Sequence, residues 1–291
     1  VIEFQYSAPE HLDDAIDLLG RPGARALAGG TDLVVQMRER RREVRHVVDL
    51  KRIPALTGLE RGADGGVRIG AAMNVTAMCR RPELTAFPAI VQSSQMIGSY
   101  QIQNRASVGG NVCNASPSAD AIPALICHGA RAEITGPKGH RQLAIESLFV
   151  APGRTHLEPQ ELLVAIVLPA AAPRSAGGYL RFTPRREMDI AVAGVGAWVQ
   201  LDGEGKVIEA RIAMAAVAPT PVRAPQAESR LRGERLTAAL IEEAASGAAR
   251  DAKPISDTRG SAEYRRELIR TLTRRTLQGC ARQLGLSVET P

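Results

Sequence analysis

Leu12, Ala15, Ile16 and Leu19 recur at helical spacing, between apolar stretches at residues 1–4 and 25–28 that are too short for helices. A second helical face, Leu33, Val34 and Met37, precedes a run at 46–50, with Thr31 or Asp32 as its cap. Short strands alternating with helices predict a small parallel sheet. After Pro54 the pattern changes. Residues 56–60 and 67–70 flank a Gly/Asp-rich turn and predict a hairpin, and Asn74 is placed to cap a short helix through Met78. Residues 82–97 are helix-prone with an interruption at Pro88, whereas 98–104 read as polar and irregular. Asp120 is placed to cap a helix carrying Ile122, Ala124, Leu125 and Ile126. A second hairpin is expected around Gly136-Pro137-Lys138-Gly139, then a buried strand at 162–168. Pro169-Ala170-Ala171-Ala172-Pro173 marks a boundary. Beyond it, 178–183, 190–201 and 207–217 predict antiparallel strands, and 237–251 and 261–284 predict helices.

Two glycine segments interrupt this pattern. The first is Ala28-Gly29-Gly30-Thr31-Asp32. The second is Ser107-Val108-Gly109-Gly110-Asn111, followed by Ala115-Ser116-Pro117-Ser118-Ala119-Asp120. Each combines residues without bulk, free backbone amides and a hydroxyl or carboxylate that can cap a helix. Glycine lets a backbone approach a phosphate closely, and amides at a helix start supply donors. Two such cradles on separate units can grip the two phosphates of one dinucleotide. Thr31 and Ser107 offer hydroxyls, Asn111 can bond phosphate or lock its own loop, and Asp120 can accept from a ribose hydroxyl or cap its helix. The strings G-x-G-x-x-G and G-x-x-x-x-G-K-[ST] are absent, so the segments are neither a Rossmann fingerprint nor a P-loop.

Composition narrows the function classes. The 291 residues suffice for two or three compact units. Aromatics make up 3%, too few for base-stacking platforms, and no run of 18 apolar residues occurs. Residues 1–6 lack a basic, apolar leader, so a cytoplasmic location is expected. Cys79, Cys113, Cys127 and Cys280 show no metal spacing and read as reduced structural thiols. The net charge is +6, with its sharpest run at Arg38-Glu39-Arg40-Arg41-Arg42-Glu43-Val44-Arg45. That run reads as a solvated helix end or as a docking patch for an acidic partner. No Ser-His-Asp or H-E-x-x-H constellation is present, which leaves the chain as a cofactor carrier with no acid–base chemistry of its own.

In order and kind, these segments resemble the FAD-binding medium subunit of molybdenum hydroxylases, the group of xanthine dehydrogenase, carbon monoxide dehydrogenase and 4-hydroxybenzoyl-CoA reductase. Residues 28–33 look like its first pyrophosphate loop, and 107–111 with Ala115-Ser116-Pro117 and Asp120 look like its second. Residues 255–266, which open the last predicted helix, are similar to a motif at the same place. The resemblance implies an α+β fold with a two-part FAD-binding domain of the vanillyl-alcohol oxidase (PCMH) type, residues 1–54 and 55–173. A C-terminal domain of antiparallel sheet and helices, 174–291, would follow. It implies that Ala26, Leu27, Ala28, Gly29, Gly30, Thr31, Asp32 and Leu33 wrap the FAD diphosphate together with Ser107, Val108, Gly109, Gly110 and Asn111. Asp120 would hold the ribose side, Ile97, Gln101 and Asn104 would run close to the flavin, and the Leu163 backbone would meet the adenine end. Arg181 stands where xanthine-oxidising relatives carry a lysine near FAD, and keeps the charge with a different geometry. Ile190 matches a position beside the isoalloxazine where carbon monoxide dehydrogenases carry an aromatic residue.

The function implied is an electron-transfer oxidoreductase subunit. A large partner would carry molybdopterin-bound molybdenum, and a small partner would carry two [2Fe-2S] clusters. FAD on this chain would pass electrons to NAD⁺, oxygen or another acceptor. A heterohexamer is expected from the family. The competing readings are a stand-alone flavin oxidase of the vanillyl-alcohol type and a scaffold subunit that has lost its flavin.

Overall fold

The computed structural model describes residues 3–185 and 188–288. The first unit follows the predicted alternation: β1 (Gln5–Ser7), α1 (Leu12–Leu19), β2 (Ala24–Leu27), α2 (Leu33–Arg38) and β3 (His46–Asp49). All pairings are parallel, in the order β1-β3-β2. The first strand lies at 5–7, later than expected; Glu3 and Phe4 carry no regular structure, and Val1 and Ile2 lie outside the described residues. Its side chains explain the shift. Tyr6 donates to Asp49 Oδ2 at 2.6 Å and Ser7 Oγ meets His46 Nε2 at 2.8 Å, tying β1 to β3. Ser7 is therefore a strand residue, and His11 holds the start of α1.

The second unit begins with α3 (Pro54–Thr57), β4 (Leu59–Arg61) and β5 (Val67–Gly70). Four short helices follow: α4 (Val75–Cys79), α5 (Pro88–Ser94), α6 (Tyr100–Gln103) and α7 (Val108–Asn114). Asn74 caps α4 by accepting from the Ala77 amide at 2.8 Å. Pro88 starts α5 at its first turn, where a missing N–H costs nothing. The segment expected to be irregular forms α6, whose cap is Ser99. Next come α8 (Ala121–Cys127), β6 (Arg131–Gly136), β7 (Gly139–Ala144), β8 (Phe149–Ala151), β9 (Arg154–Thr155) and β10 (Leu162–Leu168). The apolar run of β10 becomes the centre of an antiparallel sheet ordered β4-β5-β10-β6-β7. Its register slips at Val164, so Leu162 and Val164 pack toward the parallel sheet while Leu163, Ile166 and Leu168 pack on the opposite side.

The third unit is a sheet of β11 (Ser175–Phe182), β12 (Ala193–Leu201), β13 (Val207–Ala215) and β14 (Val222–Arg223), with α9 (Pro225–Leu231), α10 (Ala238–Asp251) and α11 (Ala262–Gln283). Alternation along β12 sorts its two faces. Val195, Ala197, Val199 and Leu201 join the core under α9–α11, whereas Trp198 joins the core of the second unit. All seven residues of α8 are buried, which is why its sequence has no polar face. At Gly196 a Cβ would stand 2.9 Å from the Pro123 backbone, so α8 lies directly on β12.

Asp120 does not cap α8 with its side chain. Its carboxylate accepts from the Tyr179 hydroxyl at 2.7 Å and from Arg181 at 2.5 Å, both on β11. The group is 7% exposed, and an inward carboxylate with two donors across the joint is held by them rather than by its own helix. Burial pushes Asp120 up to about 6, against the pull of Arg181 and Tyr179.

Asp120→Ala leaves the Arg181 charge buried without its partner and costs about 3–5 kcal/mol, read as a lower urea midpoint. Between about pH 4 and pH 6 the folded carboxyl keeps a proton that the unfolded chain has released, so its contribution to stability falls as pH rises through that window and is flat above it. Urea titrations of the wild type and Asp120→Asn across this range check the sign: the wild type loses stability relative to the variant on going from pH 4 to pH 6.

Candidate functional site

The chain leaves the parallel sheet at Leu27 and turns through residues 28–32 into α2. Gly30 takes φ +76°, a conformation that glycine adopts without steric cost. The second segment reaches the same place from the other unit. Val75 N donates to Ala106 O at 2.8 Å, and Asn74 bridges to Ser107, which anchors the start of α7. A Cβ on Gly29 would land on the Arg105 carbonyl and 2.8 Å from Ala106 Cα. A Cβ on Gly109 would land on the Ala71 carbonyl. Gly29 therefore brings the two segments together, and Gly109 seats the second of them on the end of β5. Gly110 differs: its Cβ would meet only Ser107 Oγ, at 3.0 Å, and this position faces open space.

Between the segments lies a cavity of about 240 Å³. Ala26, Leu27, Ala28, Gly29, Gly30, Thr31, Asp32 and Leu33 line it from one side. Ser107, Gly109, Gly110 and Asn111 line it from the other, with Ile97 and Leu163 also in its wall. Val108 is buried in the core beneath and turns away from the space. The N–H groups of Gly30, Thr31 and Asp32 have no protein partner among the described residues. Ser107 Oγ is engaged by the Gly110 amide at 2.9 Å, and Asn111 Oδ1 is buried with no partner among the described residues. Free backbone amides and an open glycine position suit an anionic ligand, and the buried Asn111 Oδ1, an acceptor, suits a hydroxyl donor beside it; the set fits a dinucleotide diphosphate with its flanking ribose.

Asp32 occupies the cap position of α2 but makes no side-chain cap bond. It accepts instead from Asn114 Nδ2 at 3.3 Å, and Asn114 Oδ1 receives Gln36 Nε2 at 3.5 Å, so a polar chain crosses between α2 and the end of α7. Burial raises the Asp32 carboxyl above its usual range. Asn114 and Gln36 were not singled out from the sequence. Asn114 lies three residues beyond Asn111 on one short helix, a spacing that puts both on one face.

The remaining expected residues lie elsewhere. Arg181 lines a neighbouring hollow with Gly98, Tyr100 and Gln103, on the far side of Ile97. Asp120 lies behind it in the joint, with both carboxylate oxygens engaged. Gln101 and Asn104 line neither space, and Ile190 is half-exposed on the segment after β11. That segment touches the flank of the hollow where Met188 N donates to Gly98 O at 3.3 Å. Arg186 and Glu187, beside it, lie outside the described residues. The four cysteines are free, and no group of three or more His, Cys, Asp or Glu is arranged for a metal among the described residues.

Residues 2–171 match the family described as the FAD binding domain in molybdopterin dehydrogenase, and residues 178–280 match the CO dehydrogenase flavoprotein C-terminal domain. The chain belongs to the FAD-binding subunits of the molybdenum hydroxylases. The putative xanthine dehydrogenase FAD-binding subunit of Escherichia coli K12 is 34% identical over 96% of this chain and 97% of its own length. The carbon monoxide dehydrogenase medium chain of Afipia carboxidovorans is 36% identical, with 94% and 96% covered. A solved structure of carbon monoxide dehydrogenase from Hydrogenophaga pseudoflava superimposes with a TM-score of 0.92 at 30% identity, covering 97% of this chain and 98% of that one. These relatives are named as an FAD-binding subunit of xanthine dehydrogenase and medium chains of carbon monoxide dehydrogenase. No helix among the described residues is long and apolar enough to cross a membrane.

Gly29→Ala forces backbone apart rather than a side-chain end. It is expected to cost about 1–3 kcal/mol, read as a lower thermal midpoint. Gly110→Ala, by contrast, stays within about 1 kcal/mol of the wild type, because helix propensity offsets one tight contact.

Proposed function

We propose that this flavin subunit is the outlet of an electron chain. Substrate oxidised at a molybdopterin-bound molybdenum on a large partner releases electrons that pass through two [2Fe-2S] clusters on a small partner. They leave from this chain to NAD⁺, oxygen or another acceptor. Bound FAD supplies the junction between one-electron and two-electron transfer, and the protein sets its position and electrostatics.

The observation that carries this reading is the convergence of the two glycine segments on one cavity walled by free donors. On this reading residues 26–33 enclose the diphosphate together with Ser107, Gly109, Gly110 and Asn111, while Val108 anchors the segment from beneath. Asn111 donates or accepts at the phosphate ribose junction, and the Leu163 backbone meets the adenosine end. The hollow beyond Ile97 receives the flavin end, and Arg181 presents its charge there from a position fixed by Asp120. A fixed cation beside a ring that gains electrons stabilises negative charge without reorganisation. Ile190 would shield one face of the ring. Four free thiols suit a reducing cytoplasm.

The purified chain is expected to be yellow and to take up FAD with quenched flavin fluorescence. Asn111→Ala weakens that uptake by about tenfold or more, the loss of one hydrogen bond to a charged group, while circular dichroism stays unchanged. A folded chain that takes up no FAD overturns the proposal. Native mass spectrometry of the complex tests the partners, and a chain that turns over substrate alone refutes their involvement.

A further inference from the structure

The basic run after α2 does not behave as one patch. Arg41 pairs with Glu39 at 2.9 Å and Arg45 with Glu43 at 3.0 Å, so these cations are matched by acids of the run itself. Arg42 is different: it has no ion pair or hydrogen bond among the described residues, and it lines the cavity between the glycine segments. The backbone explains how it gets there. Arg40 takes φ +57°, Arg40 N donates to Met37 O at 3.2 Å, and Arg41 N donates to Gln36 O at 2.9 Å. This pair of bonds with a left-handed residue is a Schellman turn, which here reverses the chain over the space that Gln36 also borders. An arginine holds the position usually given to glycine, so the reversal is bought against local strain.

The charges around the cavity are few. Glu161 is neutralised by Arg141, which reaches it at 2.8 Å and 2.7 Å. Asp32 is held by the neutral Asn114 and faces no cation. Arg25 lines the wall and donates to Ala24 O at 2.9 Å. Arg25 and Arg42 against Asp32 leave one net positive charge, where a diphosphate brings about two negative ones. Without Arg42 the lining is neutral and Asp32 opposes the ligand.

We infer that Arg42 determines specificity at the cradle: its guanidinium supplies countercharge to the diphosphate, so that the cavity selects ligands carrying that group over flavins or adenosine lacking it. The inference rests on the cofactor reading above. A guanidinium fork matches phosphate oxygens in two bonds, which an ammonium does not. The side chain is exposed, so the contribution is screened by salt.

The test is a titration of the full chain, stripped of flavin, with FAD, riboflavin, ADP and adenosine at low and high salt. Arg42→Ala is expected to weaken FAD and ADP about tenfold at low salt and less than about threefold at high salt. Riboflavin and adenosine are expected to bind as they do to the wild type. Arg42→Lys recovers part of the loss, and Arg41→Ala, which removes a matched cation from the same run, behaves as the wild type. Unchanged FAD and ADP affinity in Arg42→Ala, or equal losses for riboflavin and adenosine, overturns the inference. A wild-type chain that binds ADP and not FAD defeats the flavin reading, while the ADP arm still decides the role of Arg42.

Discussion

Nothing larger than a hydrogen fits on Gly29 where it meets the Arg105–Ala106 peptide. This contact sets the loop after β2 of the parallel sheet directly against the link between α6 and α7 of the second unit, and the cavity lies beside it. Gly109 makes a similar backbone contact with Ala71, which seats α7 on the end of β5 within the second unit. Gly29 thus sets how closely the segments approach, and Gly110 leaves the space beside them open. Backbone contacts of this kind leave little slack, because packed interiors are dense and do not deform continuously. A ligand held by amides alone depends on that stiffness.

The third unit is fastened to the second by α8, which is apolar on every face because it lies between two sheets. Such a joint would let the units slide if it were purely greasy. The Asp120–Tyr179–Arg181 network gives it a fixed register, since a buried carboxylate between two donors has one good geometry. Arg265 plays a related part within the third unit. It is buried and donates to the carbonyls of Val192 and Ala216 and to Asp257 at 2.7–3.0 Å. It thereby ties the start of α11 to both ends of the segment it covers. The positions of Arg181 and of the segment carrying Ile190 follow from these two buried polar knots rather than from apolar packing.

Much of this was legible residue by residue. Helical spacing through Leu19, the apolar run at 162–168, the cap at Asn74 and the helix-prone stretches at 237–251 and 261–284 each produced the element expected of them. Segments with weak periodicity were not: α6 and α9 are short and polar, and β14 is two residues long. Two capping assignments, at Asp32 and Asp120, failed for one reason. Each side chain found a partner distant in sequence, Asp32 on α7 and Asp120 on β11, in place of a local helix amide.

The order of local structures and the two glycine segments with their free amides were thus determined by the sequence alone, because propensity, period and backbone freedom act within a few residues. Which side chains face the cavity was decided only by tertiary structure. Arg42 enters it through a left-handed turn at a non-glycine residue, Asn114 through a bond to a loop 82 positions away, and Asp120 leaves it for a neighbouring sheet. Direction depends on which distant groups compete for each polar atom, and that competition exists only once the three units are packed.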